Sequence, residues 1–146
     1  MSSLEKCEQE FSVSNLPSSP SIVSTDAEGE EEYFQGKKWT EISSSVLEYN
    51  TFILNCFTPE AFVYYLPSYM SYAYENPNSA VAEVTVERVL PQEDGENRKS
   101  FQEWWELLNI KQQKLVVQLV DLHIESGGIV NVGRVNTLKR AIAENG

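Results

Sequence analysis

Three side chains that could bind a metal ion or transfer protons lie close together in the string DLHIES. Asp121, His123 and Glu125 are spaced two residues apart, and His123 is the only histidine of the 146-residue chain. On a β-strand, alternate residues point to one face, so the three side chains would converge and could hold a metal. On an α-helix, residues two apart point about 200° away from each other, so the three could not meet. The chemistry of this string depends on the element that carries it.

The other strings of catalytic type have simpler structural explanations. Glu103 precedes two tryptophans and could be a carboxylate in an apolar pocket, but it also closes SFQE, a helix capping box. Arg134 follows Gly133 where a phosphate-binding loop needs lysine and then serine or threonine. No serine or cysteine is placed beside a base, and neither Cys7 nor Cys56 has a partner at metal-ligand spacing. We therefore expect no catalytic residue, metal site or cofactor.

The net charge of −11 is concentrated near the N-terminus. Residues 1–36 carry −7, which leaves −4 for residues 37–146. Such an acidic segment is typical of a solubilising tail, and we favour that interpretation over mimicry of a nucleic acid. The part of the chain after Arg98 is slightly basic, but its bases are spread over three predicted elements, so we do not expect nucleic-acid binding.

Neither a membrane segment nor an export signal is predicted. The apolar runs, such as Leu115–Ile124, are too short and too polar to cross a bilayer, which needs about 20 consecutive apolar residues. The first residues lack the basic and apolar regions of a secretory signal. We expect a cytoplasmic protein that does not bind membranes.

Apolar residues repeat at helical spacing through most of the chain, which predicts an all-α protein with a single compact domain of about five to seven helices. Residues 1–13 fit a short helix that packs on the body. Residues 14–36 are rich in serine, proline and glutamate, which predicts a flexible acidic linker. Residues 37–146 fit the helical domain.

Several helix starts can be read from capping residues. One helix is predicted from Trp39 on apolar spacing alone, and another from Thr58, where proline follows at the first helical position. Pro67 lies inside this second helix, so we expect a kink or two short helices. Ser100 and Asn109 each open a capping box, in SFQE and NIKQ, and so each should begin a helix.

The segment Ala80–Leu90 fits two structures. Its valines alternate with polar residues as in a strand, and its apolar residues also fit one helical face. A cap at Asn76–Pro77 and the terminal Pro91 favour a helix, but the pattern alone does not decide.

Five of the seven tyrosines lie in Phe57–Pro77. On a helical wheel that starts at Phe62, Leu66 falls within about 40°, Tyr74 near 120° and Tyr64 near 200°. The stretch is therefore interpreted mainly as a core helix. Tyr64 and Tyr74 point outward on this wheel, and tyrosine is enriched at the centres of protein interfaces. They are our candidate partner-binding residues.

The string EEEYFQG, which ends at Gly36, resembles the recognition site of a plant-virus protease that is widely used to remove purification tags. Coherent sequence lies on both sides, and Glu32 occupies the position where leucine is expected. We interpret the string as native sequence.

The strings FTPEAFVYYLPSYM and LNIKQQKLVVQLVDL resemble a family of small bacterial proteins of unknown function. Its markers are a T-P-E-A-F-x-Y-Y-L-P segment and a downstream helix that begins with L-[TN]-x-x-Q. The resemblance covers Trp39–Ile124, with Ser68 where alanine is commoner and Leu119 in place of phenylalanine. It implies bacterial origin and a shared helical fold, and it implies no activity.

The lack of a catalytic set and the two outward tyrosines favour a non-enzymatic protein-binding module, such as an inhibitor, immunity or accessory factor. The alternative is a small enzyme or ligand binder whose polar residues converge only in three dimensions, for example Glu60, Tyr64 and His123. A deep pocket with convergent polar groups would favour this alternative. A flat aromatic patch would favour protein binding.

Overall fold

A computed structural model describes residues 3–11, 33–34, 36–92 and 95–145. In these ranges the chain forms helices and no β-strand, which confirms the all-α prediction. Seven are α-helices: α1 (Ser3–Phe11), α2 (Ser44–Tyr49), α3 (Pro59–Glu75), α4 (Ala80–Val89), α5 (Gly95–Trp105), α6 (Ile110–Glu125) and α7 (Val132–Asn145). Two 3-10 helices, Trp39–Glu41 and Thr51–Asn55, flank α2. None of the described helices has both the length and the apolar character needed to cross a membrane.

Most of the predicted linker, residues 14–36, lies outside the described residues, and the boundaries of the three predicted parts stay predictions. The N-terminal helix α1 packs against α3 and α6. Its Cys7 and Phe11 are buried, and the side-chain amide of Gln112 donates to the Glu10 carbonyl at 2.8 Å. Cys7 and Cys56 are not joined by a disulfide.

The tyrosine-rich helix α3 lies at the centre of the fold and packs against α1, α2, α4, α5, α6 and the 3-10 helix at Trp39–Glu41. It begins as its sequence predicts, because the Thr58 hydroxyl accepts from the Ala61 N–H at 3.3 Å and Pro59 occupies the first turn. The helix then continues through Pro67 without a break, so of the two expected outcomes the pair of short helices is wrong, and the kink stays a prediction. Proline removes one backbone hydrogen bond from the helix. The burial of α3 on several sides, including the full burial of Phe62, compensates for that loss.

The single helix predicted from Trp39 is wrong. The segment instead forms two 3-10 helices and the short α2, whose N-terminus is capped by the Ser43 hydroxyl. Trp39 and Ile53 are buried, whereas Tyr49 is 87% exposed, so the apolar positions do not share one face. Side chains of α3 bind the backbone of this segment and hold it in a path that apolar spacing does not reveal.

Tyr65 supplies one of these bonds. Its hydroxyl lies within hydrogen-bonding distance of the carbonyl of Phe34 and, at 2.9 Å, of the carbonyl of Lys37. The Phe34 ring packs edge-on against the Tyr65 ring with centroids 5.3 Å apart. Burial raises the pKa of Tyr65 to about 12, so the hydroxyl keeps its proton and remains a donor.

Trp39 is held at both its backbone groups. Its N–H donates to the Tyr64 hydroxyl at 3.3 Å, and its carbonyl accepts from the Ser68 hydroxyl at 2.6 Å. The next residue of α3, Tyr69, donates from its hydroxyl to the Asn50 carbonyl at 3.1 Å. The face of α3 that carries Tyr64 is therefore covered by chain and does not point to solvent.

The ambiguous segment Ala80–Leu90 forms a helix, α4, that ends at Val89. The helix α4 is capped by Ser79, whose hydroxyl accepts from the Ala82 N–H at 3.1 Å, and the cap does not lie at Asn76–Pro77. Its buried residues follow one helical face, and a strand would have buried only alternate positions. They are Val81, Ala82, Thr85, Val86 and Val89.

Of the two predicted capping boxes, only the second begins a helix. Asn109 accepts from the Gln112 N–H at 2.9 Å and Gln112 accepts from the Asn109 N–H at 2.9 Å, so this box is confirmed. The helix α5 begins at Gly95, five residues before Ser100, so the prediction that Ser100 begins a helix is wrong. Ser100 is an exposed residue within α5.

The two boxes give a matched test in which the same type of substitution has different results. Asn109→Ala should lower the free energy of unfolding by about 0.5–2 kcal/mol, because an N-terminal N–H of α6 loses its acceptor. Ser100→Ala should change it by less than about 0.5 kcal/mol, because alanine is favourable inside a helix. Urea denaturation of both variants measures the difference. Equal losses would show that Ser100 also caps a helix.

A second matched pair tests the bond between α3 and the segment before it. Tyr65→Phe should destabilise the protein by about 1–3 kcal/mol, because buried carbonyls lose their donor. Tyr72→Phe should cost less than about 0.5 kcal/mol, because its hydroxyl bonds the exposed Glu48 carboxylate at 2.6 Å. Thermal unfolding of the two variants gives the comparison. A Tyr65→Phe protein as stable as Tyr72→Phe would contradict the bonding described.

Candidate functional site

The acidic residues and histidine of DLHIES do not form a metal site. They lie on helix α6, where Asp121 pairs with Lys139 at 3.0 Å, His123 is buried and Glu125 is exposed. Across the described ranges, no group of three or more histidine, cysteine, aspartate or glutamate side chains is arranged to hold a metal ion.

The ring of His123 is packed into the structure. Its Nδ1 lies 2.8 Å from the carbonyl of Pro77, and because a carbonyl only accepts, Nδ1 carries the hydrogen. The ring also lies against Gly128, where a β-carbon would come within 2.3 Å of Nε2. Glycine at this position therefore allows the loop after α6 to close over the ring.

The three polar residues that might have converged lie apart. Tyr64 is 5% exposed, so its predicted outward position is wrong, and the reason is the Trp39 segment that covers it. Glu60 lies at the start of α3 in a pocket of about 380 Å³, whereas His123 lines a different cavity. Tyr74 is half-buried, donates to the Leu115 carbonyl, and has a pKa raised by burial. Partner binding by Tyr64 and Tyr74 stays a prediction.

The larger cavity is a groove of about 720 Å³ along one side of α4. Its walls come from α4, from α5 and from the end of α6 with the loop that follows. The side chains that line it are both apolar and polar, and they include Val84, Glu87, Arg88, Phe101, His123 and Ile129. We call this cavity the α4 groove. Its size falls within the range of about 300–1,000 Å³ that is usual for binding pockets.

A second arginine, Arg134 of α7, fixes one end of α4. Its guanidinium donates to the carbonyls of Pro91 at 3.0 Å, Leu90 at 2.9 Å and Glu87 at 3.1 Å, and it also pairs with the Glu87 carboxylate. The last carbonyls of a helix have no partner within the helix, so Arg134 acts as a C-terminal cap. This cap ties α7 to α4.

Arg88 of α4 lines the groove, and the partner of its guanidinium is an aromatic ring. Its guanidinium carbon is 4.3 Å from the centroid of the Phe62 ring, which is a cation–π contact. Burial lowers the pKa of Arg88. Among the residues that the structure describes, the ion pairs are Arg134 with Glu87 and Lys139 with Asp121, so no carboxylate there neutralises Arg88.

The rim of the groove carries an exposed aliphatic side chain. Ile129, in the loop between α6 and α7, is 97% exposed, and Val132 at the start of α7 is 69% exposed. Single apolar residues at a surface are ordinary, but Ile129 also lines the α4 groove and gives it an apolar edge.

The sequence interpretation did not single out Arg88 or Ile129. The signal for Ile129 was available, because three aliphatic residues follow the two glycines in GGIVNV, where a loop usually carries polar ones. For Arg88 there was little signal, since a basic residue in the last turn of a helix is common.

The chain belongs to a family of unknown function, DUF6714, whose family model matches residues 19–128. Membership in a family of unknown function was expected from the two motif strings and is confirmed, while bacterial origin stays a prediction. No curated protein and no solved structure matches the chain. The family brings no activity with it, so function has to be argued from the groove.

The cap at the end of α4 can be tested with two cation removals. Arg134→Met should destabilise the protein by about 2–4 kcal/mol, because several buried carbonyls lose a charged donor at once. Lys139→Met should cost less than about 1 kcal/mol, because its pair with Asp121 is exposed to solvent at both ends. Denaturant unfolding compares the two. An Arg134→Met protein of normal stability would show that the cap does not fix α4.

Proposed function

We propose that this protein is a non-enzymatic protein-binding module, acting as an inhibitor, immunity or accessory factor, and that the α4 groove is its docking surface. One observation carries the proposal: Ile129 is 97% exposed at the rim of the groove. An aliphatic side chain in water gains about 1.5–3 kcal/mol when a partner covers it. A rigid groove with an apolar edge fits that use.

The composition of the groove also supports docking. Protein interfaces combine an apolar centre with polar and charged groups at the rim, and arginine and aromatic residues are enriched there. Phe101 and Val84 supply apolar area, and the exposed Glu83 and Glu87 add carboxylates to the lining. Arg88 adds a charge that is stacked on an aromatic ring.

The proposal moves the docking surface away from the tyrosines. Tyr64 and Tyr74 were the first candidates, but their hydroxyls are bonded to the backbone at Trp39 and Leu115. Their rings could meet a partner only where a half-buried edge remains, as in Tyr74.

A second candidate function is the binding of a small anionic ligand. It is favoured by a groove of about 720 Å³ that contains an arginine and a histidine. The two candidates differ in their use of Ile129, because a ligand held within the groove would not need the exposed rim.

Site-specific photo-crosslinking tests the proposal. A benzoylphenylalanine residue would replace Ile129 in one protein and Tyr49 in a control, and both would be expressed in the cells that natively make the chain. Tyr49 is 87% exposed and does not line the groove, so it reports nonspecific collisions. We expect a discrete protein adduct from position 129 that position 49 does not give.

The protein found in the adduct then allows a binding measurement. Ile129→Asp should weaken its affinity by about tenfold or more, because a charge would be placed in the apolar contact. The fold should be unaffected, since the side chain is almost fully exposed. Equal adducts at both positions, or none at 129, would contradict the proposed docking surface.

A further inference from the structure

We propose that the Arg88 guanidinium is the anchor of the α4 groove and binds the carboxylate of an aspartate or glutamate side chain in a partner segment, with aliphatic residues on either side of that acid. This inference rests on the proposed protein-binding function and specifies its partner. It follows from the contact of Arg88 with Phe62, from the lining of the groove on both sides of Arg88, and from the apolar residues along the groove.

The stacking of Arg88 on Phe62 orients the guanidinium for binding. A guanidinium that lies over an aromatic ring uses its face for the contact and keeps the N–H groups at its edge available. Phe62 is fully buried and is itself packed against Trp104 at 4.7 Å between centroids, so the ring is fixed. The position of the charge is thus set before a partner arrives.

The two arginines next to α4 make an internal comparison. Arg134 is buried, and its N–H groups meet three carbonyls and a carboxylate. Arg88 is half-buried, and within the described residues no acceptor for its side chain and no carboxylate partner is found. A half-buried guanidinium without an acceptor gains most from a ligand that supplies two oxygens in one plane.

The groove runs past Arg88 in both directions. It is lined by α4 from Ala80 to Leu90 and continues to Gln92, so wall lies before and after the arginine. An acid inside a partner segment fits this geometry better than a chain-terminal carboxylate would, because a terminus would leave one side of the groove unfilled. Val84 and Ile129 supply apolar contacts for its neighbours.

The charges around the groove allow one partner carboxylate. Among the described lining residues, Glu83 and Glu87 are the acidic ones, and Glu87 is already paired with Arg134. The charge of −11 belongs to the whole chain, and much of it is distant in sequence. At physiological salt, exposed charges are screened over about 8 Å, so the local balance decides.

A phage-displayed library of random 12-residue peptides selected on the full-length protein tests the inference without assuming a sequence. We expect enrichment of one aspartate or glutamate flanked by aliphatic residues. The strongest peptide and its Glu→Gln or Asp→Asn analogue are then measured by fluorescence anisotropy. The acidic peptide should bind at least about tenfold tighter, because a charge-assisted pair is lost in the analogue.

Variants of the protein assign this preference to Arg88. Arg88→Gln should bind both peptides about equally, and Arg88→Lys should lose most of the preference because it lacks the planar fork. Arg140→Gln is the matched control, since Arg140 is exposed on α7 and does not line the groove. It should keep the preference. The two peptides are also compared on the unmutated protein, and that comparison does not depend on whether a variant folds.

The outcomes separate this inference from the proposed function. Peptides enriched without an acid, or a preference that survives Arg88→Gln, would overturn the role of Arg88 while leaving protein binding at Ile129 intact. No enrichment would overturn the inference as well. Glu93 and Asp94 follow the groove residue Gln92 in the sequence. If only the E93Q/D94N variant selected acidic peptides, the chain's own carboxylates would be bound to the Arg88 guanidinium. That result would overturn binding of a partner acid by the unmutated protein.

Discussion

Buried peptide groups need hydrogen-bond partners, and in this protein the side chains of α3 supply them for the segment that precedes it. The Ser68 hydroxyl donates to the Trp39 carbonyl, and the Tyr69 hydroxyl donates to the Asn50 carbonyl. The Tyr65 hydroxyl donates to the Phe34 carbonyl. An unpaired buried group costs about 1–3 kcal/mol, so the short helices of this segment are stable only where α3 places its hydroxyls. In the string TPEAFVYYLP, most residues have a structural task, because they cap α3, fill the core or bond the preceding backbone.

Features that depend on neighbouring residues could be predicted from the sequence, whereas features that depend on tertiary contacts could not. The caps at Thr58 and Asn109 depend on residues a few positions apart, and both were predicted correctly. Ser100 carries the same signal inside α5, because a capping box in sequence does not say whether the helix has already begun. The path after Trp39 depends on hydroxyls 25–29 residues further along the chain, which apolar spacing does not encode. Arg88 could not be singled out because its distinguishing property, the lack of a side-chain acceptor among the described residues, is a feature of the tertiary structure.

Helix α4 is held from two sides by residues distant in sequence. Arg134 closes its C-terminus, and the Phe62 ring contacts the guanidinium of Arg88. His123 bonds the chain just before the helix, at Pro77. These contacts fix the wall of the groove in advance, so a partner that docks there would lose little free energy to rearrangement of the protein.

The burial of Phe34 also decides how the chain responds to a protease. Its string YFQG forms part of a sequence that a tag-removing protease reads, but the Phe34 ring is fully buried between Phe57 and Tyr65. Proteases take their substrates as extended strands, so this ring would first have to leave the core. Cleavage would then proceed at a rate set by local opening, and its time course would report the stability of that part of the fold. The rate of cleavage at this string would therefore measure how stably α3 binds the segment that precedes it.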